Sequence, residues 1–116
     1  MEYCPEVIAV EGRRYPTIAK IESLLPGATS AQPIPIPLDC SDGFSETFYG
    51  RPEKLLDPAI RGAQSAWGFV EAEAEARFAT ALCADLKSGA WDKRYGHLRS
   101  TPAYEGAMCL LVNTPA

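Results

Sequence analysis

PIPIPLDCSDGFSETFYGRPEKLLDPAIRGAQSAW, residues 33–67, opens with prolines at 33, 35 and 37 alternating with Ile34, Ile36 and Leu38. In an extended strand, residues two apart aim their backbone N–H groups at the same neighbour, so these prolines strip one edge of donors and leave the other intact. The segment at about 33–38 therefore reads as an edge strand that pairs on one side only. A polyproline II linker with no partner is the competing reading, against which the isoleucines and leucine weigh. Asp39 to Gly50, with Asp39, Ser41, Asp42, Gly43 and Ser45, reads as a loop or short helical piece. Asp57-Pro58 marks a helix start, with Asp57 as N-cap and proline at the first helical position.

Outward from this stretch the chain alternates helix signals with one more strand. Pro5 and Pro16 can each open a helical turn, Ile18, Ile21, Leu24 and Leu25 mark an apolar face after the second, Pro26-Gly27 ends it, and Ala28 to Gln32 reads as a polar loop. From Trp67 the spacing predicts a long helix on which Val70, Ala74, Phe78, Leu82 and Leu86 stack at four-residue steps. Glu71, Glu73 and Glu75 near its start and Lys87 at its end complement the macrodipole, Ser88-Gly89 supplies the stop, and the acidic run reads as a solvated face. The last element, AMCLLVN at 107–113, is apolar on both faces, as expected of an inner strand covered on both sides. The expected fold class is α/β, a single domain over 1–116 with two antiparallel C-terminal strands and three to four helices. Two strands make a marginal sheet, so the far side of 107–113 calls for a partner.

Composition narrows the function classes. The 116 residues are 47% hydrophobic and 22% charged, enough for one modest core. A net charge of −4 with no basic stripe argues against nucleic acid and against an anionic membrane surface. No apolar run approaches the length of a membrane span, and MEYCPEVIAV carries acids where a signal peptide needs a basic region, so the expected compartment is the cytoplasm. Cys4, Cys40, Cys83 and Cys109 form no CxxC pair and the chain has 1 histidine, so no metal site is expected. They read as four reduced thiols, with Cys83 and Cys109 small and buried among apolar neighbours. A Cys40/His97 catalytic pair has no supporting motif, and no catalytic residue is assigned.

IPIPLDCSDGF, then FYGRPEKLLDPAIRGAQSAW, then SGAWDKRYGHL and the terminal apolar strand resemble the C-terminal half of bacterial class I S-adenosylmethionine-dependent methyltransferases acting on small molecules. The resemblance covers most of the chain and is closer from Pro33 onward. It implies a partial Rossmann-like fold in which strand 6 lies at the sheet edge and strand 7 is inserted antiparallel between strands 5 and 6. Segments 33–38 and 107–113 would fill those places, which is where a proline-blocked edge and a doubly apolar inner strand belong. The family's glycine-rich turn and ribose-binding acid have no counterpart among the 9 glycines and the segments around them, so no cofactor-binding residue is carried over and this chain alone is expected not to bind S-adenosylmethionine.

The loop after segment 33–38 then holds the candidate substrate residues Asp39, Asp42 and Phe44, although its aspartates can equally cap their own turn. Tyr49 and Arg51 could orient a polar or carboxylated substrate, or Arg51 could pair with Glu53 or cap a helix. Arg61, one helical turn after Asp57, reads as a local surface pair. Trp67, with Phe69, could line an aromatic pocket, with core packing the favoured reading. Two functions are expected to compete. One is a methyltransferase-like fragment, inactive by itself, forming the acceptor side of an enzyme in which protein groups position and desolvate the reactants. The other is a non-catalytic module assembling through an exposed strand edge. The expected partners are a second copy or a complementary chain at strand 107–113, plus a small-molecule substrate once completed. A truncated product, a split enzyme and a repurposed fragment all fit.

Overall fold

The computed structural model describes residues 3–115. Helix α1 (Pro5–Arg14) and helix α2 (Ile18–Leu24) begin at the two expected prolines or just after them, α2 being capped by Thr17, whose hydroxyl accepts the Lys20 N–H. Gly27, at φ 77°, turns the chain into strand β1 (Ala28–Pro33), and β2 (Ile36–Pro37) follows. Two 3-10 turns, Ser45–Phe48 and Pro52–Leu56, lead to helix α3 (Pro58–Gly62), whose N-cap Asp57 accepts the Ala59 N–H at 2.9 Å. A third 3-10 turn, Ser65–Phe69, precedes helix α4 (Ala72–Ser88); helix α5 (Ala90–Tyr95) and the turn Gly96–Ser100 lead to strands β3 (Ala103–Tyr104) and β4 (Cys109–Thr114).

The core is helical. Cys4, Val7, Phe48, Leu55, Trp67, Phe78, Leu82 and Trp91 form one cluster, so the expected stripe on α4 does face inward, with Ala74 buried and Val70 and Leu86 packed at its margins. Trp67 tilts onto Phe78 with ring centroids 4.9 Å apart. The long helix nonetheless begins at Ala72 rather than Trp67. Val70 and Glu71 are extended, and the 3-10 turn before them lets Ala66 and Trp67 bury together.

Gly89 stops α4 in the left-handed conformation, at φ 86°, with nothing within 4 Å of an added Cβ. Gly89→Ala is therefore expected to cost about 1 kcal/mol from backbone strain without any clash. Thermal unfolding should shift down by roughly 4–8 °C. An unchanged midpoint would mean the helix end relaxes freely.

The sheet departs from expectation in place though not in logic. The partner of β4 is β1, read above as a polar loop, in antiparallel register from Ala28↔Thr114 to Pro33↔Cys109. Ala28 to Pro33 is a poor strand former by composition; pairing with the apolar C-terminal strand decides its conformation, as tertiary context commonly does for strands. Asn113 clamps the far end, its side-chain amide donating to the carbonyl of Pro26 at 2.8 Å and to Thr29 Oγ1 at 3.0 Å. The 33–38 segment is thus not one edge strand but the end of β1, a bend and β2. It pairs on one side, as the prolines require: Ile34 donates to Met108 O and Leu38 to Pro102 O, each at 3.0 Å, on the side opposite Pro33, Pro35 and Pro37. Between Ile34 and Ile36 the register steps by two residues, leaving Glu105, Gly106 and Ala107 opposite Pro35 as a bulge.

Strand β4 is not covered on both faces either. Leu110 is 49% and Val112 42% exposed, and Leu24 on α2 is 70% exposed. Helix α2 has no buried residue, and it packs against β1. The Cα radius of gyration is 16.4 Å, against about 13 Å for a compact chain of this length. The α2–β1–β4 unit stands out from the helical body. Cys109, on that unit, is exposed for the same reason, and Cys83 on α4 is half-buried, so neither is the buried thiol expected; Cys4 is the enclosed one, and burial raises its pKa. Among the described residues no helix is long and apolar enough to cross a membrane, and no three His, Cys, Asp or Glu side chains form a metal-binding group.

Candidate substrate cleft

A cleft of about 1350 Å³ runs between α1 and the 42–49 loop, with the β3–β4 connection along one rim. Its floor is the outer face of the core: Val7, Phe48, Leu55, Phe78, Leu82 and Trp91. Several backbone approaches fix its walls. Gly50 sits where a Cβ would lie 2.6 Å from both Leu38 Cδ1 and the Leu98 carbonyl, so only glycine lets the loop reach the end of β2. Glu46 accepts the Ala107 N–H through both carboxylate oxygens, at 3.0 and 2.9 Å, satisfying a donor that the bulge leaves without a strand partner. Gly106 passes so close to that carboxylate that a side chain would overlap it.

The predicted residues divide. Asp42, Phe44 and Tyr49 line the cleft; Asp39, Arg51 and Trp67 do not. Tyr49 is buried, its hydroxyl donates to Thr101 O at 2.8 Å and its ring stacks on Tyr104 at 5.1 Å, so it ties the loop to the C-terminal segment; burial raises its pKa. Arg51 does not pair with Glu53. It donates to the carbonyls of Cys40 at 3.0 Å and Thr47 at 3.3 Å and lies over the Phe48 ring, folding the Asp39–Gly50 loop onto itself. Trp67 is 4% exposed and belongs to the core.

Glu53 is taken instead by Arg99, which also binds Asp92 at 2.6 Å and lies 4.9 Å over the Trp91 ring. Hydrogen bonding to Arg99 holds both carboxyls below their ordinary range. Depressed carboxylate pKa values stabilise the fold above the unfolded-state value and lose that effect as pH falls through the folded-state one. The wild type should therefore lose stability more steeply than Arg99→Gln below about pH 4. Parallel slopes in urea titrations at several pH values would remove this role.

Arg61 is likewise not paired with Asp57. It is buried, donating to Glu75 at 2.8 Å and to the Leu55 carbonyl at 2.7 Å, so one acid of the run 71–75 serves the interior. The residue that sequence spacing missed altogether is Gln64, 9% exposed on the cleft wall. Its Oε1 accepts from Ser45 Oγ at 2.5 Å and from Trp67 Nε1 at 3.0 Å. No motif marks a lone glutamine.

No protein-family model matches the chain, and no curated protein is similar to it. Its fold is similar to a crystal structure from Anabaena variabilis ATCC 29413 described as a "putative methyltransferase from antibiotic biosynthesis pathway". The TM-score is 0.86 at 23% identity over 97% of this chain and 47% of that one. The chain thus has a mixed α/β arrangement similar to part of a methyltransferase fold, and it spans about half the length of the structure it matches.

The residues here do not fit the cofactor such a fold implies. Both sheets are two-stranded and antiparallel, and the left-handed glycines among the described residues, Gly27 and Gly89, end helices rather than opening one after a strand. There is no strand-turn-helix cradle for a nucleoside among them.

Proposed function

We propose that this chain is the acceptor-substrate half of a small-molecule methyltransferase of the S-adenosylmethionine-dependent class I type. A cofactor-binding half, on the same polypeptide or another, would add its sheet to the free edge of β4. The observation that carries this reading is the match of nearly the whole chain to about half of a methyltransferase fold. The exposed apolar side chains support it, because a two-stranded ribbon with Leu110 and Val112 outward, beside a helix with Leu24 outward, is marginal without cover. This chain would supply an apolar cleft that excludes water and holds the acceptor still, which is the larger part of what a direct transfer asks of a protein. No step through the cofactor is assigned to these residues.

The test is isothermal titration with S-adenosylmethionine and S-adenosylhomocysteine, on material whose mass is fixed by light scattering. The chain alone should show no saturable binding. The same titration after addition of the non-matching part of the Anabaena protein as a surrogate half should show micromolar binding. Saturable binding by the chain alone would overturn the division into halves. A stable homodimer that neither binds the cofactor nor accepts a surrogate half would favour a strand-edge assembly module.

A further inference from the structure

Among the described residues two buried side-chain nitrogens lack a hydrogen-bond partner, Arg51 Nε and Gln64 Nε2, and of these two residues Gln64 is on the cleft. The orientation of its amide follows from its neighbours. Trp67 Nε1 is a donor only, so the atom 3.0 Å from it has to be the amide oxygen, and Nε2 is left as the unpaired end. A buried donor without an acceptor is costly; Nε2 itself has less than 1 Å² of accessible surface, so a ligand satisfies it by moving the cleft wall aside around Gln64. The charges on the cleft select the ligand further. Glu11, Asp42 and Glu46 line it, and no lysine, arginine or histidine does. Arg14 offsets Glu11 at 3.6 Å, but the remaining balance is negative. A carboxylate ligand would meet like charge and no counter-ion, whereas Phe44, Phe48, Trp91 and Tyr104 offer aromatic walls.

We infer that Gln64 Nε2 is a ligand-binding donor, and that the cleft takes an uncharged aromatic compound carrying a carbonyl oxygen, such as an aryl ketone or aryl amide, in preference to an aromatic acid. The inference rests on the cleft being the acceptor-substrate site, but binding is read with no cofactor and no second half present. Its failure is therefore separate from failure of the methyltransferase reading.

The ¹⁵N-labelled chain is titrated with acetophenone, benzoate and ethylbenzene, following the Gln64 side-chain amide pair by NMR. Acetophenone should shift that pair and bind about tenfold tighter than ethylbenzene, the worth of one hydrogen bond, with benzoate weakest. Gln64→Glu at pH 8 keeps an acceptor for Trp67 and Ser45 and removes the donor; acetophenone should weaken about tenfold while ethylbenzene is unchanged. Gln64→Met removes the donor without adding a charge but also removes the acceptor of Trp67 and Ser45, so it is read only as the ratio of acetophenone to ethylbenzene affinity, which should fall to about one. An unmoved Gln64 amide at saturation, equal binding of benzoate and acetophenone, or no binding of any probe by the folded chain would overturn the assignment. The orphan nitrogen would then be a structural defect or a water site.

Discussion

Glu75→Ala should destabilise the protein more than Arg61→Met, even though Glu75 is the more exposed partner of the pair. The Arg61 side chain is 7% exposed and Glu75 31%, with the guanidinium 5.9 Å from the centre of the Trp67 ring. Removing the carboxylate leaves a desolvated cation with the Leu55 carbonyl as its remaining hydrogen-bond partner, a situation that costs about 3–5 kcal/mol. Removing the cation instead leaves Glu75 free to turn toward water. The Leu55 carbonyl then goes unpaired, for about 1–3 kcal/mol, while methionine keeps most of the buried stem volume. Urea unfolding measures both. With a slope of about 1–3 kcal/mol per molar, the Glu75 variant should move the midpoint by on the order of 2 M and the Arg61 variant by clearly less. The opposite ranking would mean that the carbonyl contact, which ties α3 to the turn Pro52–Leu56, outweighs the charge compensation that ties α3 to α4.

The same arginine shows where sequence reading stops. Asp57 lies one turn before it, and spacing alone puts the two on one helix surface. The partners it actually uses are six and fourteen residues away and come from two other elements. Signals whose physics is local were legible: the Asp57-Pro58 cap, the Gly89 stop, and the Val70–Leu86 stripe that faces the core. The proline alternation was legible for a related reason, since a missing N–H constrains pairing whatever the partner is. Its consequence, one-sided pairing of Ile34 and Leu38, holds although the strand boundaries do not. Strand β1 was invisible because ATSAQP has no strand character of its own; β4 and the Asn113 clamp impose it from about eighty residues away. Of the residues read as substrate candidates, Asp42, Phe44 and Tyr49 fall on the cleft, whereas Asp39, from the same loop, and Arg51 and Trp67 do not, because position after the proline segment does not say which way a side chain turns. Gln64 was not legible at all, because its meaning lies in which of its atoms Trp67 and Ser45 leave unpaired.

Leu111→Pro should abolish any assembly at β4 while leaving the chain folded, and Leu110→Pro should melt the β1–β4 ribbon. The difference comes from the hydrogen-bond phase of the ladder. Ile34 donates to Met108, and in an antiparallel pair the residues that exchange bonds with a given neighbour alternate, so Leu110 and Val112 also turn their backbone groups toward β1. Cys109, Leu111 and Asn113 therefore aim theirs at the free edge, where an incoming strand would have to pair. A proline at 111 deletes the central donor of that edge and costs the existing ribbon no ladder bond, whereas one at 110 removes a bond to β1. The same device appears at the end of the opposite strand, where Pro33 faces outward, and Pro35 and Pro37 continue it past the bend, while Thr29 and Ala31 keep their outward donors. The outer edge of β1 thus lacks one of its donors, whereas that of β4 keeps all of them at Cys109, Leu111 and Asn113. Light scattering of the chain with and without the surrogate half, alongside far-ultraviolet circular dichroism, separates the cases. A complex that forms equally well with Leu111→Pro would place the contact on the apolar faces of α2 and β4 rather than on the strand edge.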